Sequence, residues 1–406
     1  MPGGCYVSYA PTQVRRLRCV AKWILIHALR WTGLLGLAKW WIRRNGAVVL
    51  TFHRVLSEEA LAQTSSQSGL LIGRTTFEQL LRYIKDHYSV FDLARGGLQD
   101  QREHIQVAIT FDDGWEDNAS TAFPTAAKWK LPFTIFICPQ LMEKSAPFWP
   151  EHVVALVRSA SASAAVMAQI CRILASAGHP EWAASLTDSK GDCTDALIEW
   201  LKTLPVKHRE NLLDSILSRG LPPEAYPNGS VDCTMSWSQA ELLHQAGISF
   251  GSHTQRHEIL TRIPLAQVEQ EVSESKTAIE DHLAHCSLFS YPNGNASPEV
   301  RDVVARCGFK LAFINSAGVW RRSSDPLLIP RINVSEGDLT SMDGRFSPLA
   351  FEYRVFWKAF IHRGRGSPGQ RRSRLWTRSA AAEPILAEGT TVASPEQQLG
   401  RGAAEP

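Results

Sequence analysis

The sequence predicts an α/β fold: a closed, TIM-like barrel of about seven strand–helix units with a helical insertion, preceded by a basic amphipathic helix. Three observations predict it. Short apolar runs such as Val107-Ala108-Ile109-Thr110-Phe111 recur along the chain, and continuous runs of this kind form strands buried on both faces. Stretches with helical apolar spacing separate them. The runs end in polar or charged residues, as expected where chemistry gathers at the C-terminal ends of parallel strands.

Taken in order, residues 19–44 have helical spacing, with an apolar stripe at Ile24, Ala28, Trp31, Leu35, Ala38 and Ile42 and with Trp23, Trp40 and Trp41 alongside. Lys22, His27, Arg30 and Lys39 interrupt the apolar character, so neither a cleavable signal peptide nor a spanning helix fits. A helix lying in a membrane interface fits better; a terminal helix packed on the domain is the other reading. Strands follow at 47–52, 107–111, 133–138, 248–252, 288–291, 311–314 and 327–334. Helices lie between them, among them 76–87, with Phe77, Leu80, Leu81 and Ile84 apolar, and 117–129. Residues 146–232 break the alternation with alanine-rich helical sequence and read as an insertion over the barrel mouth. Residues 347–406 read as an aromatic helix (349–361), then an arginine-rich run from Arg363 to Arg378, then a disordered Ala/Glu/Gly/Pro-rich end. The expected division is therefore 1–45, 46–346 and 347–406.

Composition sets limits. Of 406 residues, 44% are hydrophobic and 20% charged, the balance of a globular chain. The net charge of +3 is unevenly placed, because no Asp or Glu precedes Glu58 while basic residues do, which points to an anionic partner such as a membrane surface. The basic runs accompany no nucleic-acid reader motif, so no nucleic-acid partner is expected. The eight cysteines include no Cys-x-x-Cys, which argues against a zinc ribbon or dithiol redox centre and favours isolated thiols in a reducing compartment. Cytoplasmic placement, or peripheral placement on the inner membrane, follows.

Two motifs carry chemistry. Asp112-Asp113-Gly114 ends a buried strand, and two adjacent carboxylates leaning into one pocket need a proton, an arginine or a metal ion to share their charge. A turn with good capping chemistry is the plainer reading. Downstream, His253 and His257 lie four positions apart at another strand end, a spacing that can present two nitrogens to one ion. With thirteen histidines in the chain such a pair arises readily, so it is the conjunction with the aspartates that matters.

Thr-Phe-Asp-Asp-Gly followed by Ser-His-Thr-x-x-His resembles the polysaccharide deacetylase family (the NodB-homology domain, carbohydrate esterase family 4). The resemblance includes Thr51-Phe52-His53-Arg54, Phe133–Ile137, Ser236-Trp237, Tyr291-Pro292-Asn293-Gly294 and Ile329-Pro330-Arg331-Ile332. It covers about 46–335 apart from the insertion. It implies the distorted, TIM-like (β/α)7 form of the barrel and a hydrolase of carbon–nitrogen bonds in linear amides, removing N-acetyl groups from amino sugars in a polysaccharide or lipid-linked glycan. It further implies Asp113, His253 and His257 as ligands of a divalent metal, zinc first among the candidates. Asp112 would be the general base, and the backbone amide of Tyr291 the oxyanion donor.

Two positions depart from the family. Ser290 stands where many members have the arginine that orients the base, and Arg331 stands near the place of the acid histidine. Arg331 is too basic to donate a proton but can bind substrate or orient Asp112; the acid stays unassigned. A deformylase or deacylase of a lipid-linked sugar, and a glycan-binding barrel without turnover, are the other readings. Trp237 is expected to pack at a helix start and Asp117 to cap a helix, while His53 suits a pocket and a structural role equally.

Overall fold

Strand formation follows the apolar runs. In chain order the strands are β1 (Ala47–Phe52), β2 (Arg54–Leu56), β3 (Leu71–Gly73), β4 (Ser89–Val90), β5 (Gln106–Phe111), β6 (Thr134–Ile137), β7 (Ser249–Ser252), β8 (Leu288–Ser290), β9 (Leu311–Ile314), β10 (Ile329–Pro330) and β11 (Ile332–Asn333). The computed structural model describes residues 13–96, 98, 103–143, 149–188, 194–220 and 232–362. Nine strands share one sheet in the order β10-β9-β8-β7-β6-β5-β1-β11, with β4 added beside β5, and every pairing is parallel. β10 pairs with β9 and β11 with β1, and only Arg331 separates them in the chain. Residues 329–333 therefore act as one stave that joins the two ends, and the sheet closes as the seven-stave barrel that the strand count predicts.

Side chains of a strand alternate between faces, and here both faces are buried. Val49, Ala108, Phe136, Leu288, Phe313 and Ile329 meet Trp320 in one cluster inside the barrel. Leu50, Phe52, Val107, Ile109, Phe111 and Ile135 belong to the larger cluster under the surrounding helices. The same alternation carried one or two residues further turns His53, Asp112, His253, Ser290 and Arg331 towards the interior at the strand ends. β1 and β5 run in register from Ala47↔Gln106 to Phe52↔Phe111, so His53 and Asp112 leave their strands at the same level.

The N-terminal region differs from the expected single helix. Two helices, α1 (Gln13–Trp31) and α2 (Leu34–Asn45), meet at Gly33, whose left-handed backbone (φ 75°) breaks the run. The break changes which residues face inward. Leu35, Ala38 and Ile42 are buried as the stripe predicts, but Ile24 and Trp31 are exposed, while Ile26 and Leu29 are buried in their place. These pack with Tyr353 and Trp357 of the helical segment 348–361, whose Phe351, Val355 and Phe356 belong to the main core. That aromatic segment is thus part of the barrel's packing, not a separate region after 346. The arginine-rich run and the chain end lie outside the described residues. Among the described residues, no helix is long and apolar enough to cross a membrane.

Among the described residues, five helices between Trp149 and Gly220 occupy the insertion and build a core of their own from Val153, Leu156, Leu174, Ile198, Leu213 and others.

Gly251 sits on the inward face of β7, where an added Cβ would stand 2.6 Å from the Phe136 ring and 2.8 Å from the Leu288 carbonyl. Gly251→Ala should lower the unfolding free energy by about 1–3 kcal/mol, read from chemical denaturation midpoints. An unchanged midpoint would show that this face is not as closely packed as described.

Candidate active site

The barrel mouth gathers side chains from five strand ends. Asp112 and Asp113 follow β5. Asp112 continues the inward alternation, and Asp113 would point outward but for its left-handed backbone (φ 75°), followed by Gly114 at φ 70°. Non-glycine residues in that region mark strain that surrounding structure must hold. Here a second carboxylate is turned into the mouth beside the first. His253 follows β7, and His257, also left-handed (φ 64°), ends the next turn.

Asp113, His253 and His257 converge, each offering a ligand atom within 4.8 Å of the others. His253 Nε2 lies 3.6 Å and His257 Nε2 3.4 Å from Asp113 Oδ1. The donor set fits a metal ion on three counts. Asp113 Oδ1 is buried with no hydrogen-bond donor, whereas Oδ2 accepts from Trp115 Nε1 (3.1 Å). His253 Nδ1 lies 2.7 Å from the Ser290 carbonyl, which only accepts, so this nitrogen carries a hydrogen and fixes the ring with Nε2 towards Asp113. Burial, partly countered by Asp113, lowers the His257 pKa to about 4 and leaves its ring neutral. Two imidazoles and one carboxylate are the donors that zinc and related ions take.

Asp112 is held differently. Arg331 Nη1 donates to its Oδ1 (2.7 Å) and Nη2 to its Oδ2 (2.6 Å), a two-pronged pair with both side chains at most 5% exposed. The same guanidinium donates to Ser290 Oγ (2.8 Å). Burial pushes the Asp112 pKa up, but the Arg331 charge and its hydrogen bonds outweigh it and hold the carboxyl below the usual carboxylate range. Ser290 carries no charge, yet the charge missing at that position is supplied from the closing stave.

His53 joins this group. Its Nδ1 is buried without a hydrogen-bond partner, and its neighbours in charge are Asp113, Asp112, Arg331 and His253. Burial lowers its pKa against the pull of the two aspartates. Of the two readings open for His53, the structure places it in the pocket.

Two expectations are corrected. The Tyr291 amide donates to the Phe313 carbonyl (3.0 Å), extending the β8–β9 ladder, so it is not available to an oxyanion. The strand continues one residue further than the motif suggests. Asp117 neither caps a helix through its side chain nor joins the metal ligands: it accepts from Arg54 Nε (2.8 Å) and the Val55 amide (2.8 Å). Trp237 does start a helix, behind a Ser236–Gln239 capping box, and stacks on His282 away from the mouth.

Sequence reasoning missed the network around Arg54. This fully buried arginine pairs with Asp117 and Asp232, donates to Thr64 Oγ1 (3.0 Å) and Ser66 Oγ (2.8 Å), and lies 4.3 Å over the Trp115 ring. Ser66 Oγ in turn donates to Glu151 Oε1 (3.1 Å) on the first turn of the insertion, and burial raises the Glu151 pKa to about 8. On the other side Arg209 of the insertion donates to Glu258 (3.1 Å), the residue after His257, and lies 5.0 Å over Trp149. The insertion is thus pinned through Glu151, in its first turn, to the Arg54–Trp115 side and through Arg209, in the helix Val206–Gly220, to the His257 side. An arginine directly after His53, at the end of an apolar strand, was the one signal of this in the sequence.

Fold and site together define an α/β barrel with a carboxylate–imidazole centre at the C-terminal ends of its strands. The family described as Polysaccharide deacetylase matches residues 200–312, a stretch that includes His253, His257 and Tyr291 but not the aspartates. Comparison with curated proteins finds no match. Among solved structures, the chain is similar to the Streptococcus pyogenes deacetylase PplD in complex with acetate (16% identity, TM-score 0.47, covering 76% of this chain and 98% of that one). It is also similar to IcaB from Ammonifex degensii (18%, TM-score 0.44, 72% and 94%) and the BpsB deacetylase domain from Bordetella bronchiseptica (14%, TM-score 0.40, 71% and 95%).

Removing one partner of a buried pair strands the other charge. Arg331→Met should cost about 3–5 kcal/mol of stability at neutral pH. The sign reverses with acid. In the wild type the depressed Asp112 pKa contributes stability above the unfolded value of about 3.9 and loses it as pH falls through the folded one. In the variant burial acts unopposed, the pKa rises, and protonation relieves the penalty. The stability gap between the two proteins should therefore narrow as pH falls below about 5; a gap independent of pH would contradict this account of Asp112.

Proposed function

We propose that this protein is a metal-dependent amide hydrolase that removes N-acetyl groups from amino sugars of a polysaccharide or lipid-linked glycan. The observation that carries the proposal is the division of labour between adjacent carboxylates. Asp113 offers a buried, unpartnered oxygen to two imidazoles, and Asp112 is held ionised by Arg331.

Asp113, His253 and His257 would hold the ion, with zinc first by donor type. When bound, such an ion polarises the acyl carbonyl and acidifies water. The chain's own residues do the rest. Asp112 accepts the proton of the water whose oxygen bonds to the acyl carbon. As the carbon–nitrogen bond breaks, the departing nitrogen must gain a proton, and the His53 ring, neutral and without a hydrogen bond at Nδ1, takes it from Asp112 and delivers it. Arg331 is a positioning residue that fixes the plane of the Asp112 carboxylate. In place of Tyr291, the Asn293 amide at the same strand end serves as oxyanion donor; its left-handed backbone (φ 58°) turns the chain there.

A binder without turnover rests on two missing groups, the arginine that orients the base and the acid histidine; Arg331 supplies the first charge, and the reading of His53 as the proton donor answers the second. Among acyl groups acetyl comes first, with formyl on a lipid-linked sugar next. We place the protein at or near a membrane surface, peripherally on the inner membrane, which suits a lipid-linked substrate.

Asp112→Asn should keep its metal content and lose turnover by about 10²–10⁴-fold, measured as acetate released from an N-acetylglucosamine oligomer. His53→Gln should show the same pattern, retained metal with slower release. Either variant working at the wild-type rate removes that residue from the mechanism.

A further inference from the structure

Seven of the eleven exposed large apolar side chains among the described residues fall between Val20 and Trp40, on α1 and α2. That concentration sets the region apart, since apolar residues scattered singly over a surface need no explanation but a gathered group does. Ile24 is 66% exposed and Trp31 88%, with Leu25, Leu34, Leu37 and Trp40 each above 40%. The opposite side of the pair is spoken for. Ile26, Leu29 and Leu35 pack with Tyr353, Ala38 and Ile42 are buried, and Lys39 pairs with Glu352. The helices therefore hold to the barrel by one side and present apolar residues on the other.

Charge selects the partner. No Asp or Glu occurs before Glu58, so nothing acidic on these helices offsets Lys22, Arg30, Arg43 and Arg44. Arg30 and Arg44 are exposed, and Arg44 lies 4.5 Å over the Trp40 ring. Tryptophans beside cations, with aliphatic side chains between, match the headgroup boundary of an anionic bilayer, where aromatic rings sit at the interface and cations meet the anionic headgroups. A protein partner's apolar patch would match the leucines but would give no account of helices that carry cations and no acidic residue.

We propose that the outward face of α1 and α2 is a membrane-docking surface that seats the barrel on anionic lipid, burying Ile24, Trp31, Leu34 and Leu37 at the headgroup boundary. This deepens the peripheral placement proposed above but is independent of the chemistry at the barrel mouth. Two helices joined at Gly33 lay their apolar residues in the interface without spanning it. A lipid-linked substrate would then meet the enzyme on a shared surface.

The full-length protein should co-sediment with vesicles of phosphatidylcholine containing a third phosphatidylglycerol, weakly with phosphatidylcholine alone, and less as salt is raised. Tryptophan emission should shift to the blue on binding. Ile24→Glu with Trp31→Glu should weaken vesicle binding at least about tenfold. Release of acetate from a soluble N-acetylglucosamine oligomer should stay unchanged, so failure of docking and failure of the hydrolase reading are separable. Arg30→Gln with Arg44→Gln should lower binding to anionic vesicles only. Three results would overturn the proposal: no binding to either vesicle, equal binding by the Ile24/Trp31 variant, or a protein dimer that the same variant splits while vesicles are ignored.

Discussion

The buried pair between Arg331 and Asp112 is the constraint on which the mouth of this barrel depends. Arg331 is the single residue between β10 and β11, so it sits where the closing stave passes from β9 to β1. Its backbone amide donates to the Ile314 carbonyl (3.0 Å), while its side chain crosses the interior to grip Asp112. Closing the sheet and holding the carboxylate are therefore done by one residue. A charge pair this deeply buried adds little net stability over an apolar replacement but specifies geometry, because either partner alone is costly.

A second buried cation, Arg54, plays the corresponding part for the other aspartate. It braces Trp115, whose indole holds one oxygen of Asp113 and leaves the second towards the imidazoles. The two arginines thus divide the adjacent carboxylates, one by direct contact and one through an indole. The insertion reaches the same framework through Glu151 and Ser66 on one side and Arg209 and Glu258 on the other. Among its described residues it brings no ligand to the Asp113–His253–His257 cluster, yet its docking and the conformation of the His257 turn depend on shared buried contacts.

How much of this could be read from the chain follows from what is local. Strand positions were legible because each stave is a short apolar run, and the polar ends of those runs named Asp112, Asp113, His253 and His257. Arg331 was legible as an oddity, though its target was not, since Asp112 lies 219 positions away and only the closed barrel brings them together. Tyr291 was misassigned because a motif does not tell where a strand stops donating to its neighbour. The stripe on α1 failed at Gly33, where a left-handed residue shifts the face by a few positions that no periodic count anticipates. The Arg54 network was out of reach for the same reason as Arg331: its partners Thr64, Asp117 and Asp232 come from three separate stretches.

The central claim is that two carboxylates and two imidazoles work around one divalent ion to cleave an amide. Titrating zinc into chelator-treated protein while following acetate release from an N-acetylglucosamine oligomer tests it most directly. The account predicts release that rises with metal and saturates at one ion per chain. Release that ignores the metal, or none at saturation, would contradict it.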